Sequence, residues 1–412
     1  MFMLEKMKGS NNQYQSNYVS KIFNFQLHFI NFLTYVLVLT FGLTLGIILS
    51  FYLKECSFSL QFTQLSLSSI PKTPPLPPPI AVKQERIGLK EFLKVPPVMH
   101  DMDEEELLWR GSMTAKISEY PFDRVPKVAF MFLTRGAVFL APLWEQFFKG
   151  HEGYYSIYVH SNPSYNGSHP ESPVFHGRRI PSKEVKWGDV NMIEAERRLL
   201  SNALLDISNQ RFVLLSESCI PLFNFSTIYT YLINSTENYV MAFDDPSPVG
   251  RGRYSIQMLP EVSLRQWRKG YQWFEMDREL ALGVVSDRIY FPVFQDYCRG
   301  SCYADEHYLP TFVSIKFWER NSNRSLTWVD WSRGGPHPAH FLRSDVNVEF
   351  LERLRNKKCA YNNGYSTNAC FLFARKFLPS TLSRLLKIAP EVMQFEHYDK
   401  PKKHKLSFKP II

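Results

Sequence analysis

The chain of 412 residues gathers its carboxylates, cations and thiols into a few tight groupings. Asp244-Asp245 closes a strand-like run, a placement suited to a divalent metal that grips a nucleotide diphosphate; Glu275-x-Asp277 is a weaker grouping of the same kind. No Asp-x-Asp follows residue 123, and Asp101-x-Asp103 lies ahead of the main body. Cys298, Cys302 and His307 have zinc-ligand chemistry, but a disulfide is the default for two such thiols in an oxidising compartment. The G-x-x-x-x-G-K-[ST] phosphate cradle is absent. So is G-x-G-x-x-G, since Gly250-Arg251-Gly252 stops short, and so is the G-x-S-x-G elbow. P-loop phosphate chemistry, dinucleotide redox and serine hydrolysis therefore lack support, and sugar-nucleotide transfer remains. A transferase that uses no metal must neutralise its departing diphosphate with Arg and Lys. The last third of the chain supplies both.

The elements that must position these groups start at Val125. Lys127–Thr134 and Tyr154–His160 read as buried strands, with a helix over Leu140–Lys149 opened by Pro142. Val190–Ile207 carries apolar residues at 192, 195, 199, 203 and 207, a helical stripe. Arg211–Ser216 reads as a third strand, Phe225–Ile233 as a helix and Tyr239–Phe243 as a fourth strand. Strand alternating with helix predicts an α/β fold with a mostly parallel sheet covered on both faces. Ligands of such sheets bind at the carboxyl ends of the strands. That directs attention to the loops at Thr134, His160, Ser216-Glu217-Ser218 and Asp244-Asp245.

Ahead of this body, Phe32–Leu53 is 22 residues without a charge, and a membrane-spanning helix needs about 20. Lys6, Lys8 and Lys21 on the N-terminal flank face a balanced Lys54-Glu55 on the other, so the positive-inside rule puts the short tail in the cytosol. The expected organisation is a cytosolic tail over 1–31, a signal anchor over 32–53, a luminal stalk over 54–125, a catalytic domain over 126–395 and a basic tail over 396–412. The stalk holds the polyproline run Pro71–Pro79. The acids at 101–106 suit a solvated helix start. Sequons at Asn166, Asn224, Asn234 and Asn323 all fall beyond the anchor, as this topology requires. Cys298 with Cys302 and Cys359 with Cys370 are the local cysteine pairs, with Cys219 left over; spacing leaves the connectivity open. The net charge of +9 is partly carried by lysines near the ends, and no interior basic stripe of the nucleic-acid-binding kind is present.

From Val128 to about Leu385 the chain resembles the core-2/I-branching β-1,6-N-acetylglucosaminyltransferases (glycosyltransferase family 14), above all their plant branch. The carriers are KVAFMFLTRG (127–136), YSIYVH (155–160), RFVLLSESCIPLFNF (211–225), KGYQWFEMDRELA (269–281), CYADEHYLPT (302–311), LTWVDWSRGGPHPA (326–339) and CFLFARKF (370–377).

The resemblance implies a GT-A-like, Rossmann-type fold, a UDP-sugar donor, inversion at the anomeric carbon and no metal. Glu306 falls where the family places its general base. That agrees with the chemistry, since an inverting displacement needs one carboxylate to take the acceptor hydroxyl's proton. Arg343 and Lys376 resemble the family's diphosphate-binding cations, with Arg375 a neighbouring alternative. Thr134 and His160 lie on the nucleotide side. Asp244, Asp245 and Arg251–Arg253 lie where the family's acceptor segment runs, and Trp328 and Trp331 near its aromatics. Animal members carry an acidic nucleoside contact where this chain has His160. The expectation is a Golgi type II transferase that moves a sugar to a glycoprotein or cell-wall glycan. Its alternatives are glucuronosyl or other UDP-sugar transfer with a metal on Asp244-Asp245, and a stalked glycan-binding protein without catalysis.

Overall fold

In a computed structural model, residues 34–46, 88–114, 120–167, 172–360 and 366–395 are described. The chain divides into two compact units, Met1–Glu85 and Arg86–Ile412. In the first, residues 34–46 form a helix, α1. No helix among the described residues is long and apolar enough to cross a membrane. The flanks of the expected span, the tail over 1–31, the polyproline run and the basic 396–412 tail lie outside the described residues.

The second unit opens with the helical turn α2 (Leu89–Phe92) and helix α3 (Glu104–Ser112). The Asp103 side chain caps α3 by accepting from the Glu106 N–H at 2.8 Å. α3 is packed rather than free-standing: Leu107 is buried, and Gly111 lies against Ser201. His100 Nε2 meets Asn202 Oδ1 at 2.9 Å. The folded body thus reaches back into the segment expected to be stalk, because Leu107 gives α3 an apolar contact of its own.

There follow β1 (Lys127–Thr134), α4 (Ala141–Phe148), β2 (Tyr155–Ser161), α5 (Asn191–Leu204), β3 (Asn209–Leu215), β4 (Ile220–Pro221) and α6 (Phe225–Ile233). Next come β5 (Glu275–Asp277), α7 (Arg278–Val285), α8 (Tyr290–Tyr297), α9 (Ala304–Lys316) and β6 (Thr327–Val329). The chain closes with α10 (Val348–Arg355), β7 (Cys359–Ala360), β8 (Ser366–Thr367), β9 (Phe373–Arg375) and α11 (Leu382–Met393).

The main sheet has the order β2-β1-β3-β5. β2 and β3 run parallel to β1, and β5 runs antiparallel to β3. Val128 to Phe132 are completely buried, as a strand covered on both faces demands. Phe130 meets Phe148 and Phe147 of α4 with centroids 5.0 and 5.9 Å apart, and Phe132 meets Trp144 at 5.2 Å. Truncating Phe130 to alanine costs about 3–5 kcal/mol by the usual large-to-small penalty. Buried Arg278 donates to the carbonyls of Leu204, Asp206 and Asn209 at 2.8–3.1 Å, closing the end of α5 over the start of β3. A small second sheet, β4-β9-β6, seats β9 beside the loop that leaves β3.

Tyr239–Phe243 does not form the expected fourth strand. It makes isolated bridges, Tyr239 with Glu275 and Phe243 with Lys269. The edge position beside β3 belongs to β5, a three-residue strand whose acidic ends hide it from pattern reading.

Candidate active site

Glu306 lies in the first turn of α9, behind Tyr303, whose backbone is left-handed (φ +54°). Arg253 Nη1 donates to Glu306 Oε2 at 2.6 Å, and Lys269 Nζ pairs with the same oxygen. Oε1 has no hydrogen-bond partner among the described residues, and the side chain is about one quarter exposed. The carboxylate is therefore anchored through one oxygen and open through the other.

Backbone pairing explains how Lys269 arrives. Lys269 and Phe243 exchange two N–H···O bonds of 2.8–2.9 Å, and the Gly270 N–H donates to the Glu306 carbonyl at 2.8 Å. A Cβ on Gly270 would fall 1.9 Å from the Met241 oxygen, so glycine alone lets these segments meet.

The groups flanking Glu306 are buried. Asp305 is 5% exposed, its Oδ1 lacks a partner, and burial followed by the charge of Glu306 pushes its carboxyl up to about 6. His307 stacks on Trp267 at 4.4 Å and places Nδ1 2.8 Å from the Arg268 carbonyl; burial lowers it to about 4. Glu196, fully buried, accepts from Gln272 Nε2 at 2.9 Å, and burial holds its carboxyl well above the usual range.

The loop after Phe243 reaches the same place. Asp245 accepts from the Ser247 N–H at 2.9 Å and lies within electrostatic reach of Lys269 and His307. Asp244 is held by the guanidinium of Arg251 through two bonds, one of 2.8 Å. Glu275 and Asp277, the weaker metal pairing of the sequence, are spent on structure. Glu275 is fully buried and faces Thr327, and burial raises it to about 8. Asp277 caps α7 through the Leu280 N–H at 2.9 Å and pairs with Arg320. Among the described residues no three His, Cys, Asp or Glu side chains form a group suited to a metal ion.

A second group sits at the strand ends. Arg135 follows β1, Glu217 follows β3, and Arg375 and Lys376 occupy the end of β9. Lys376 is half-buried, within electrostatic reach of Arg375, Glu217 and Arg135, and burial lowers its ammonium. Arg375 is turned inward, its guanidinium 3.8 Å from the Trp273 ring centre and its Nε buried without a partner. Of the two neighbours, Lys376 is thus the accessible cation. Phe341 and Phe377 bridge in parallel register, and Arg343, exposed, follows Phe341 by two residues. Neither Lys376 nor Arg343 has an ion pair among the described residues.

A wall of side chains links the groups. Arg253 lies 4.2 Å over the Tyr303 ring, Trp187 meets Tyr303 at 4.9 Å, and His337 lies 5.4 Å from Trp187. His337 and His340 belong to the loop after β6, and both His337 and Lys376 act on His340.

Other expected contacts are placed differently. His160 is 1% exposed; its Nε2 lies 3.3 Å from both the Lys183 N–H and Arg198 Nη1, and burial lowers the ring to about 3. It supports the strand-end loop from beneath and presents no ring face to a base. Thr134 Oγ1 donates to the Gly136 carbonyl at 2.8 Å, shaping the turn after β1. Trp328 packs on Phe341 and Phe350, at 5.7 and 5.9 Å, and so braces the Arg343 segment; Trp331 is exposed. Disulfides join Cys298 to Cys302 and Cys359 to Cys370, with Cα separations of 5.3 and 5.5 Å, and Cys219 is free and buried. Asn166 and Asn234 are exposed. Asn224 caps α6 through the Thr227 N–H, and Asn323 Oδ1 accepts from the Ala242 N–H.

The family model of the Core-2/I-Branching enzyme matches residues 128–355, which include β1, β3 and the whole environment of Glu306. The chain belongs to the Core-2/I-branching enzyme family. It is 33% identical over 309 residues to "Glycosyltransferase BC10" of Oryza sativa subsp. japonica, spanning 64% of this chain and 76% of that protein. As a Core-2/I-branching enzyme it is a glycosyltransferase, with a nucleotide-sugar donor and a glycan acceptor.

Reading the sequence missed Lys269, Tyr303 and Trp187. Each lies in irregular chain, where no periodicity marks a side chain's direction. The sequence marks Arg253 only as part of the Arg251–Arg253 acceptor segment; its pairing with Glu306 is not legible there.

Proposed function

We propose that this Core-2/I-branching enzyme is an inverting, metal-independent transferase of the Golgi membrane, single-pass and type II, that moves a sugar from a UDP-sugar to a glycoprotein or cell-wall glycan hydroxyl. N-acetylglucosamine is the sugar we favour. The reading is carried by Glu306, whose Oε2 is anchored by Arg253 and Lys269 while Oε1 stays open. In the reaction the acceptor oxygen bonds to the anomeric carbon as that carbon's bond to the diphosphate oxygen breaks. Glu306 takes the hydroxyl proton, and the bonding pair leaves with UDP. Lys376 and Arg343 neutralise the developing charge on the diphosphate, the largest electrostatic demand of such a step.

The grip of Arg251 on Asp244 supports cations over a metal, since a metal at Asp244-Asp245 would have to displace that guanidinium. The uncharged 32–53 segment supports the anchored topology. The test is turnover of UDP-N-acetylglucosamine by the full chain in detergent, with EDTA and with Mn²⁺, and the product's anomeric configuration by NMR. Equal rates and inversion are expected. Activity only with Mn²⁺, or retention, would overturn the mechanism.

A further inference from the structure

We infer that Trp187 is the stacking face of an acceptor subsite, taking the apolar face of a pyranose ring of the glycan next to the reacting hydroxyl. The inference rests on Glu306 being the base, because position relative to Glu306 gives Trp187 its meaning.

Trp187 keeps 45% of its surface exposed, unlike the core tryptophans Trp144 and Trp267, which are fully buried. Its ring is nevertheless held, edge-on to Tyr303 at 4.9 Å and tilted against His337 at 5.4 Å. Tyr303 carries Arg253, and Arg253 holds Glu306 at 2.6 Å. Trp187 is therefore two side chains from the base along one unbroken wall.

The backbone is shaped for this contact. Gly188 has φ +83°, and a Cβ there would fall 2.8 Å from the Tyr303 ring. The Ala304 N–H donates to the Gly188 carbonyl at 3.4 Å, so the Trp187 segment is docked on the start of the helix that bears Glu306. A held, half-exposed indole offers a flat apolar surface with little ordering cost, the arrangement that binds the C–H face of a sugar. The aromatics suggested by the sequence serve less well: Trp328 is committed to Phe341 and Phe350, and no ring contact is found for Trp331 among the described residues.

The test is saturation-transfer NMR on the full chain in detergent with UDP present, using lactose and xylobiose as probe glycans. Transfer concentrated on the C–H groups of one ring face is expected for at least one of them. Trp187→Leu keeps apolar bulk but loses the flat face, and should weaken that probe's Kd about tenfold; Trp187→Phe should change it less than threefold. Trp187→Met against Trp187→Tyr repeats the comparison should the leucine variant fail to fold. Equal Kd values in the flat and non-flat variants, or no transfer to either glycan, overturn the inference. Failure of the base assignment reads differently. Full turnover in Glu306→Gln removes the base, whereas unchanged Kd values with an inactive Glu306→Gln remove Trp187 alone.

Discussion

Arg253 and Glu306, 53 residues apart in the chain, meet at 2.6 Å in a half-buried ion pair that Lys269 completes on the same carboxylate oxygen. The pair fixes where the open oxygen points. For the general base we propose Glu306 to be, a positioned carboxylate is worth more than a mobile one, because proton transfer needs the acceptor hydroxyl within hydrogen-bond reach.

Replacing Glu306 by glutamine keeps side-chain volume and removes the proton acceptor. Turnover should fall by about 10²–10⁴, the usual scale for a general base. UDP binding, followed by calorimetry, should hold within a few-fold. Turnover close to wild type would take Glu306 out of the mechanism.

The cations at the β9 end make a separate prediction. Lys376→Ala should weaken UDP binding by about tenfold or more, since a charge-assisted contact is worth about 1.5–3 kcal/mol. Uridine binding should stay constant, because the nucleoside carries no diphosphate. An equal loss for UDP and uridine would place Lys376 elsewhere. Arg375→Ala should chiefly lower the melting temperature, as that guanidinium packs on Trp273.

Asp305 gives a pH dependence whose sign follows from its burial. Its carboxyl lies near 6 in the fold against an ordinary 3.8. Between those values the folded chain holds a proton that the unfolded chain has released, so stability falls as pH rises through that window. The full displacement corresponds to ~3 kcal/mol at most. Asp305→Asn should therefore gain melting temperature over wild type at pH 8 and lose that advantage by pH 4. A constant difference across the range would contradict this account.

Gly270→Ala tests the joint between the Lys269 segment and α9. With a Cβ 1.9 Å from the Met241 oxygen, one of the two segments must move. The expected cost is about 1–3 kcal/mol of stability, together with a drop in kcat as Lys269 and Glu306 separate. Wild-type melting and wild-type kcat would show that the joint is slack.

Much of this protein was readable as text. The order β1-α4-β2-α5-β3-α6 was legible because buried parallel strands are continuous apolar runs and a packed helix repeats its apolar face every 3.6 residues. Glu306, Arg343 and Lys376 were singled out through motif resemblance, and the family match over 128–355 supports reading the chain as a glycosyltransferase. Tertiary structure alone decided what surrounds them. Arg253, at the end of a short 3-10 turn, and Lys269, in a bridged loop, arrive from 53 and 37 residues away from Glu306, where local pattern carries no direction. The same holds for the burial of His160, the antiparallel edge strand at Glu275–Asp277 and the reach of the folded body back to α3. Local sequence encodes which segments want to be strand or helix, but the meeting of distant loops depends on how the whole core closes, and the site is built from such meetings.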